Sequence, residues 1–278
     1  MDHPGCILGR FDPRRCVPIQ SRFGYYLLDH VGERHIYFFG LMLSPKVQRE
    51  EKLLNCAAFL DQPSSDQSWQ ALKRLVRPDT LQHGVNRAKD AAAVVGALPR
   101  LVANAYRRVA RRQGPILKAD ELLLSCLVEQ SPDPASRVTL AQKTDALGMP
   151  LLRVDWRVGE LERRSVLRLS ELIGRGLRQS GLPEHSPNIQ LLDDANWRSQ
   201  FIDRAHPSGT TRMSDSPKTG VVDRNCKIHE VGGLYITGSS VFPTAGHANP
   251  TLTIVALAIR IADWLKRRGF NDMRTISA

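Results

Sequence analysis

Two short segments near the carboxyl end of the sequence carry the residues best suited to chemistry. The first, HPSGTTRM, begins at His206, and the second, AGHANPT, opens an apolar segment that continues to about Leu265. We predict a helix there, because Pro250 suits the first turn of a helix and Asn249 before it can act as a cap. The first N–H groups of a helix are unpaired and carry about half a positive charge, so they stabilise negative charge in front of them.

These residue types suit proton transfer beside an electron acceptor. His206 supplies an imidazole, a side-chain type that serves as a general acid or base, and small residues such as Gly246 and Ala248 let a flat ligand approach the helix start. LYITGSSVFP is typical of a strand that ends in an open turn. A base, a carboxamide and a helix dipole together favour proton abstraction. Each feature alone also has a plainer explanation, as an exposed histidine, an ordinary helix cap or a simple turn.

The combination of these segments resembles the C-terminal signature of the glucose–methanol–choline (GMC) family of FAD-dependent oxidoreductases. From His206 onward, the order is a His-x-x-Gly-Thr turn, a Val-Val-Asp strand, a Gly-Leu-Tyr strand, Ser-x-x-Pro, and Asn-Pro-Thr at the start of the last helix. Upstream, MDHP, LSPKVQREEKLLN and EQSPDPASRVTLAQKTDALGMP also look like the middle region of that family. The resemblance covers nearly the whole chain, and residues 66–115 match more loosely.

The resemblance implies FAD as the cofactor and an alcohol or sugar as the substrate. His206 aligns with the active-site histidine of the family, the general base, and Asn249 aligns with its partner position, which is histidine or asparagine in the family. His247 receives no role, because it lies two residues earlier. The residues expected near the flavin are Gly238, Ser239, Asn249, Pro250 and Thr251. No metal site is expected.

The implied reaction is the oxidation of a CH–OH group by hydride transfer to the flavin. In this scheme His206 removes the hydroxyl proton and Asn249 holds the alcohol oxygen. One local departure from the family is Gly238, since many members carry an acidic residue just before the serine of this segment. That departure leaves the details of FAD contact there open.

A larger departure is the missing dinucleotide-binding motif. In members of this family, the N-terminal half of the chain binds the ADP part of FAD with a G-x-G-x-x-G motif. The nearest candidate here, GRGLRQSG, has Gln179 at the third glycine position. We therefore interpret the sequence as the C-terminal portion of such an enzyme, inactive without an N-terminal FAD-binding half supplied in cis or in trans. The alternative is a non-catalytic remnant or a binding subunit of a split enzyme.

Blocks of strands and helices predict an α+β fold: a mixed or antiparallel sheet with helices on one face, plus a C-terminal strand and helix that would complete an FAD-binding domain. Residues 1–45 are predicted to form strands, and residues 46–112 to be helical, including VQREEKLLNCAAFLD. The predicted domains are a substrate-binding region over 1–200, with a helical insertion at about 46–115, and a C-terminal segment over 201–278.

The chain is strongly basic, with a net charge of +11 over 278 residues. Arg107, Arg108, Arg111 and Arg112 are spaced to share one broad face of a helix, which could bind phosphate. A solvated helix face, or one that pairs with an acidic domain, is the more ordinary explanation. No nucleic-acid motif accompanies these arginines, so no nucleic-acid partner is predicted.

The remaining features are ordinary for a globular protein. The five cysteines are far apart and never form C-x-x-C, so we expect reduced thiols. Neither a secretory signal nor a transmembrane segment is visible, which favours a cytoplasmic location.

Overall fold

The computed structural model of the chain describes residues 1–63, 67–76, 87–116, 118 and 120–268, apart from the side chains of Arg34 and Arg268. The helices in these ranges are α1 (Val17–Phe23), α2 (Pro45–Glu51), α3 (Ser68–Val76), α4 (Arg87–Ala110), α5 (Glu160–Gln179) and α6 (Thr251–Arg268). The strands are β1 (Gly5–Phe11), β2 (Tyr26–His30), β3 (Glu33–Tyr37), β4 (Leu41–Met42), β5 (Cys56–Asp61), β6 (Leu122–Val128), β7 (Arg137–Thr144), β8 (Pro150–Asp155) and β9 (Ser186–Pro187).

The main sheet has five antiparallel strands in the order β4-β5-β6-β1-β9. Its central strand β6 has the sequence LLLSCLV, and six of its seven residues are buried. Cys126 in this strand pairs with Cys6 on one side and with Ala58 on the other. A strand that is covered on both faces needs a continuous apolar run, and this explains why β6 lacks the alternation of a half-exposed strand.

Helix α5 packs on this sheet through one apolar face. Val166, Leu169, Ile173 and Leu177 are three or four positions apart and buried, as an amphipathic helix requires. They share one core with the sheet residues and with Ile19 of α1. At the start of α5, the Gly159 N–H donates to a carboxylate oxygen of Glu162 over 2.9 Å. The predicted α+β class is therefore confirmed.

The prediction that VQREEKLLNCAAFLD is helical is wrong at β5. Helix α2 ends at Glu51, because Lys52 adopts a left-handed conformation with φ of 51°. Cys56–Asp61 then forms the strand between β4 and β6. Buried positions in a central strand are apolar without interruption, so their spacing resembles that of a buried helix, and only pairing with β6 distinguishes the two.

Three other predictions also need correction. Residues 1–45 include helix α1 as well as strands. The predicted Val-Val-Asp and Gly-Leu-Tyr strands form only isolated bridges, in which Val222 pairs with Met213 and Ile228, and Tyr235 pairs with Lys227. The arginine cluster does not share one helix, because α4 ends at Ala110, before its last two members.

A second, smaller core lies beneath α6. Its buried members are Val222, Cys226, Val241, Phe242 and Ile261. The five cysteines of the chain are free and buried. Among the described residues, no helix is both long enough and apolar enough to cross a lipid bilayer.

Shortening a side chain in β6 should destabilise the sheet. Leu124 is 1% exposed, so Leu124→Ala removes buried apolar contacts and leaves a cavity. We expect the free energy of unfolding to fall by about 2–5 kcal/mol in urea titrations. The control Leu152→Ala changes a leucine of β8 that is 69% exposed, and it should change the same quantity by less than about 0.5 kcal/mol. Equal effects of the two substitutions would contradict the assignment of β6 to the core.

Candidate functional site

The turn that carries His206 is held along its length by the segment that precedes α6. We call residues 206–213 the histidine turn. Its backbone N–H groups at Gly209, Thr211 and Met213 donate to the carbonyl oxygens of residues 239, 240 and 241 over 2.8–3.1 Å. The Ser239 hydroxyl also donates to the carbonyl of Pro207 over 2.7 Å. Two of the segments with candidate site residues are therefore in contact.

The amino-terminal MDHP segment holds the same turn from another side. The Ser208 N–H donates to the Met1 carbonyl over 2.8 Å. Gly209 has φ of +77°, and a Cβ there would lie 2.4 Å from the Met1 side chain. This position therefore favours glycine for its backbone conformation, and the Met1 side chain packs beside it.

Asp2 joins this segment to the residues just before the histidine turn. Its buried carboxylate accepts hydrogen bonds from the backbone N–H groups of His3 over 2.7 Å and of Arg204 over 3.1 Å. The Asp2 N–H donates to Gln130 Oε1 over 2.6 Å, and Gln130 Nε2 donates to the Arg157 carbonyl over 2.6 Å. A buried charge is costly unless hydrogen bonds replace its water, and these bonds do so.

The consequence of this arrangement is a close pair of imidazoles. The ring centroids of His3 and His206 lie 4.6 Å apart, with planes tilted by 32°. His3 is 1% exposed. His3 Nε2 and His206 Nδ1 are both buried and have no hydrogen-bond partner in the described part of the chain. Unpaired polar atoms in a protein interior are rare, and their presence indicates a place for a ligand or an ordered water.

Burial keeps His3 neutral near neutral pH. Its pKa is lowered first of all by burial, while the carboxylate of Asp2 opposes the shift. Positive charge on His206, Arg204 or His247 would lower the pKa of His3 further. Two adjacent imidazolium ions repel each other, and a neutral His3 places no positive charge beside His206.

His247 lies within electrostatic reach of this pair. It is half-buried, and its Nδ1 has no partner among the described residues. Burial lowers its pKa, and the Glu129 carboxylate opposes that shift. The sequence analysis assigned His247 no role, but the structure puts its charge close enough to act on His3.

The remaining candidate residues lie at the ends of the two connected segments. Gly238 has φ of +138°, with no atom within 4 Å of the position that a Cβ would take, so the space beside it is open. Pro250 is buried, and its carbonyl accepts the Ile254 N–H over 2.9 Å in the first turn of α6. Asn249 and Thr251 are exposed. Within the described residues, no hydrogen bond joins the Asn249 side chain to the histidine turn.

Sequence reasoning missed the contribution of Asp2, His3 and Gln130. MDHP pointed to the family, but nothing in it shows that His3 lies against a residue about 200 positions away. One ligand atom from each of Asp2, His3 and His206 lies within 4.8 Å of the others, and these are residue types that bind metals. The sequence analysis expects no metal here, and both oxygens of Asp2 already accept backbone hydrogen bonds.

Comparison with known proteins shows which family this site resembles. Residues 132–258 match the family model described as GMC oxidoreductase. This part of the chain is therefore similar to the C-terminal domain of the GMC oxidoreductases, as the sequence predicts. The match includes the histidine turn, Gly238 and the start of α6.

Several curated proteins are similar to part of this chain. The chain is 29% identical over 143 residues to paromamine 6'-oxidase from Streptomyces fradiae. The alignment covers 51% of this chain and 25% of that protein. It is 33% identical over 126 residues to C-glycoside 3-oxidase from Arthrobacter globiformis. That alignment covers 42% of this chain and 21% of that protein. The matched region thus spans about a quarter of the length of these curated relatives.

A solved structure of formate oxidase matches over a longer part of the chain. The alignment covers 98% of this chain and 47% of that one, with 19% identity and a TM-score of 0.46. A variant of the formate oxidase from Aspergillus oryzae, whose FAD modification was investigated, matches at 17% identity and a TM-score of 0.45.

Acid should destabilise the site through His3. Because burial lowers the pKa of His3 in the folded chain, the unfolded chain binds a proton there at higher pH than the folded chain does. The stability that neutral His3 contributes is therefore present above its ordinary pKa of about 6.5 and is lost as the pH falls further. We expect His3→Gln to show a smaller loss of unfolding free energy between about pH 7.5 and pH 5.5 than the unsubstituted chain, in urea titrations.

The matched control is His30→Gln, which changes an exposed histidine at the end of β2. It should retain the pH dependence of the unsubstituted chain. If His3→Gln retained the full dependence as well, the neutral state assigned to His3 in the fold would be wrong.

Proposed function

We propose that this chain forms the substrate side of an FAD-dependent oxidoreductase that oxidises a CH–OH group of an alcohol or sugar, with His206 as the general base. The observation that carries the proposal is the histidine turn: it belongs to the GMC domain, is bonded on two sides, and leaves a buried ring nitrogen of His206 unpaired. The substrate class is supported by the relatives, which are named as oxidases of paromamine and of a C-glycoside and as a fructose dehydrogenase.

The residues present fit a flat cofactor such as the ring system of FAD. The open space beside Gly238 lets a planar ring approach the backbone, and any Cβ at that position would narrow it. The start of α6 offers helix N–H groups and a positive dipole end, which suit the ring edge that gains negative charge on reduction. Gly238, Ser239, Asn249, Pro250 and Thr251 are the residues proposed to hold it. When bound, FAD supplies a two-electron acceptor for the hydride that leaves the carbinol carbon.

The proposed role of His206 is to take the proton from the substrate hydroxyl. Its ring is positioned because the histidine turn is bonded to the segment at 239–241 and to the Ser208–Met1 contact. A positioned base of this kind accelerates proton transfer by about 10²–10⁴-fold. His3 assists by remaining neutral, since a second positive charge at 4.6 Å would oppose protonation of His206.

Asn249 and Ser239 are proposed to have different roles. The Asn249 amide is exposed at the start of α6, where it can donate a hydrogen bond to the alcohol oxygen. The Ser239 hydroxyl donates to the Pro207 carbonyl, so besides lying beside the cofactor Ser239 joins the segment before α6 to the histidine turn.

The ADP part of FAD requires a further partner. The sequence contains no G-x-G-x-x-G, and we propose that an N-terminal FAD-binding half, in cis or in trans, supplies it and that activity depends on it. Helix α6 exposes Leu252, Val255 and Ile259 at helical spacing, and these side chains offer an apolar face for that half. The proposed domain boundary near residue 200 is supported by the two separate cores, one ending at Phe201 and one beginning at Val222.

Loss of the His206 imidazole should slow flavin reduction without preventing flavin binding. The chain is co-expressed with the N-terminal half of a GMC oxidoreductase, and an alcohol or sugar is mixed with the purified complex under anaerobic conditions. We expect His206→Ala to reduce the rate of flavin bleaching by about 10²–10⁴-fold while the flavin content stays the same. The control His30→Ala changes a histidine of β2 that is far from His206 in the sequence, and the flavin in this variant should bleach at the original rate.

Two outcomes would contradict this proposal. If several such pairings bound no flavin and showed no substrate-dependent bleaching, a non-catalytic remnant or binding subunit would be the better interpretation. If flavin bound and His206→Ala bleached as fast as the unsubstituted complex, His206 would not be the base.

A further inference from the structure

Helix α4 turns several of its polar side chains toward the protein. Asp90 is buried, and both of its carboxylate oxygens accept hydrogen bonds from Arg74 of α3, over 2.6 and 2.9 Å. Farther along, the Asn104 amide donates to the Ile116 carbonyl over 3.1 Å and accepts the Ile116 N–H over 2.9 Å. These bonds account for the polar groups at two points of the inward face.

The pattern continues to the end of the helix. Arg107 donates to the Gly114 carbonyl over 3.1 Å and to the Ser21 hydroxyl over 3.4 Å. Burial lowers the pKa of Arg107, as expected for a side chain turned inward. The inward face of α4 therefore combines these ion pairs and hydrogen bonds with apolar contacts of Val94, Ala97 and Leu101.

The outward face of α4 is apolar. Its exposed large side chains are Val95, Leu98, Val102, Tyr106 and Val109. They are three, four, four and three positions apart, so they form one stripe along the helix. Val102 in the middle is 61% exposed and Val109 near the end is 78% exposed. We call these five residues the α4 stripe.

This arrangement is the reverse of an ordinary surface helix, which buries its apolar stripe and exposes its charges. The stripe runs from Val95 to Val109 and is therefore about 21 Å long. A contiguous exposed apolar surface of this kind marks a place where a protein meets another molecule or a membrane. The sequence pattern of α4 was compatible with core packing, and only the structure shows that the stripe faces out.

The charges near the stripe indicate which surface it meets. Asp90 is the only acidic residue in 87–116, and Arg74 neutralises it. Arg87 and Arg108 are exposed on the helix, and Arg111, just beyond its end, lies 5.7 Å from the centre of the Tyr106 ring. Apolar side chains with cations at both ends, and with no exposed carboxylate between them, complement an anionic lipid surface.

Other occupants fit this face less well. The stripe is a convex ridge whose only polar group is the Tyr106 hydroxyl, so it has little with which to recognise a specific protein by hydrogen bonds. A nucleic acid would pair with Arg108 and Arg111 but would leave the valines and Leu98 in water. A bilayer interface accepts both the apolar ridge and the cations, and a tyrosine is well suited to its boundary.

We propose that α4 is a peripheral membrane-docking element that lies along the surface of an anionic lipid bilayer. The α4 stripe enters the boundary between headgroups and acyl chains, while Arg87, Arg108 and Arg111 contact lipid phosphates. The helix lies on the bilayer and does not cross it. This inference concerns a surface away from the histidine turn and does not depend on the proposed oxidoreductase activity.

The test uses the whole chain and sedimentation with vesicles. We expect the chain to bind vesicles of phosphatidylcholine with about 30% phosphatidylserine much more strongly than vesicles of phosphatidylcholine alone. The double substitution Val95→Asp with Val102→Asp should lower the partition coefficient at least about tenfold, and Arg108→Gln should lower it about fivefold. Val154→Asp, at a position in β8 that is 66% exposed, is the matched control and should bind as the original chain does.

A second variant separates docking from loss of fold. Val102→Cys introduces a thiol into the stripe, whereas the five native cysteines are all buried, so an environment-sensitive fluorophore attaches mainly at position 102. We expect its emission to shift to the blue on addition of the anionic vesicles and to stay unchanged with neutral ones. The circular dichroism spectrum of each variant should match that of the original chain.

Three results would overturn the proposal. The first is equal partition of the folded aspartate variant and the original chain. The second is a concentration-dependent dimer, detected by light scattering, that the aspartate variant abolishes, because a second copy of the chain would then cover the stripe. The third is salt-sensitive binding to duplex DNA, without vesicle binding, that depends on Arg108 and not on the valines.

Discussion

A buried carboxylate joins the start of the chain to the turn that carries the candidate base. Asp2 accepts backbone hydrogen bonds from its neighbour His3 and from Arg204, about 200 residues away in sequence. Because an unpaired charge in this position would be costly, the segments on either side are held in one arrangement. The packing of His3 against His206 and the contact of Met1 with Gly209 follow from it. The candidate site thus depends on a long-range interaction of the first residues.

The surfaces of the molecule show where further contacts are expected. Helix α6 exposes Leu252, Val255 and Ile259 above a small core, next to the segment that contains Gly238. Helix α4 exposes the α4 stripe, while polar side chains on its other face, such as Asn104, form hydrogen bonds within the protein. The α6 face adjoins the candidate site and suits the proposed N-terminal FAD-binding half. The α4 face is flanked by cations and suits a lipid surface. A chain that spans only part of the length of its relatives is expected to expose apolar faces. The surroundings of the α6 face and the α4 face differ, and this difference is the reason for assigning a protein partner to the first and a lipid surface to the second.

Much of the fold follows from local sequence patterns. The blocks of strands and helices predict the observed fold class, the Pro250 helix start predicts α6, and the ordered C-terminal segments predict the resemblance to the GMC family. The failure at Cys56–Asp61 has a physical cause, since a buried central strand and a buried helix both require continuous apolar residues. The arginine cluster was also misjudged, because spacing alone does not show that α4 ends at Ala110.

By itself, the sequence determined the fold class and the resemblance to the GMC family, and it made His206 the candidate base, because these depend on motifs and on hydrophobic periodicity along neighbouring positions. Only the tertiary structure decided that His3 lies against His206 and stays neutral, since both the ring contact and the loss of solvent arise from residues far apart in the chain. The direction of the α4 stripe was decided in the same way. Helical spacing defines which residues share a face, and the packing of α3 and the ion pair at Asp90 determine which face is turned to the outside.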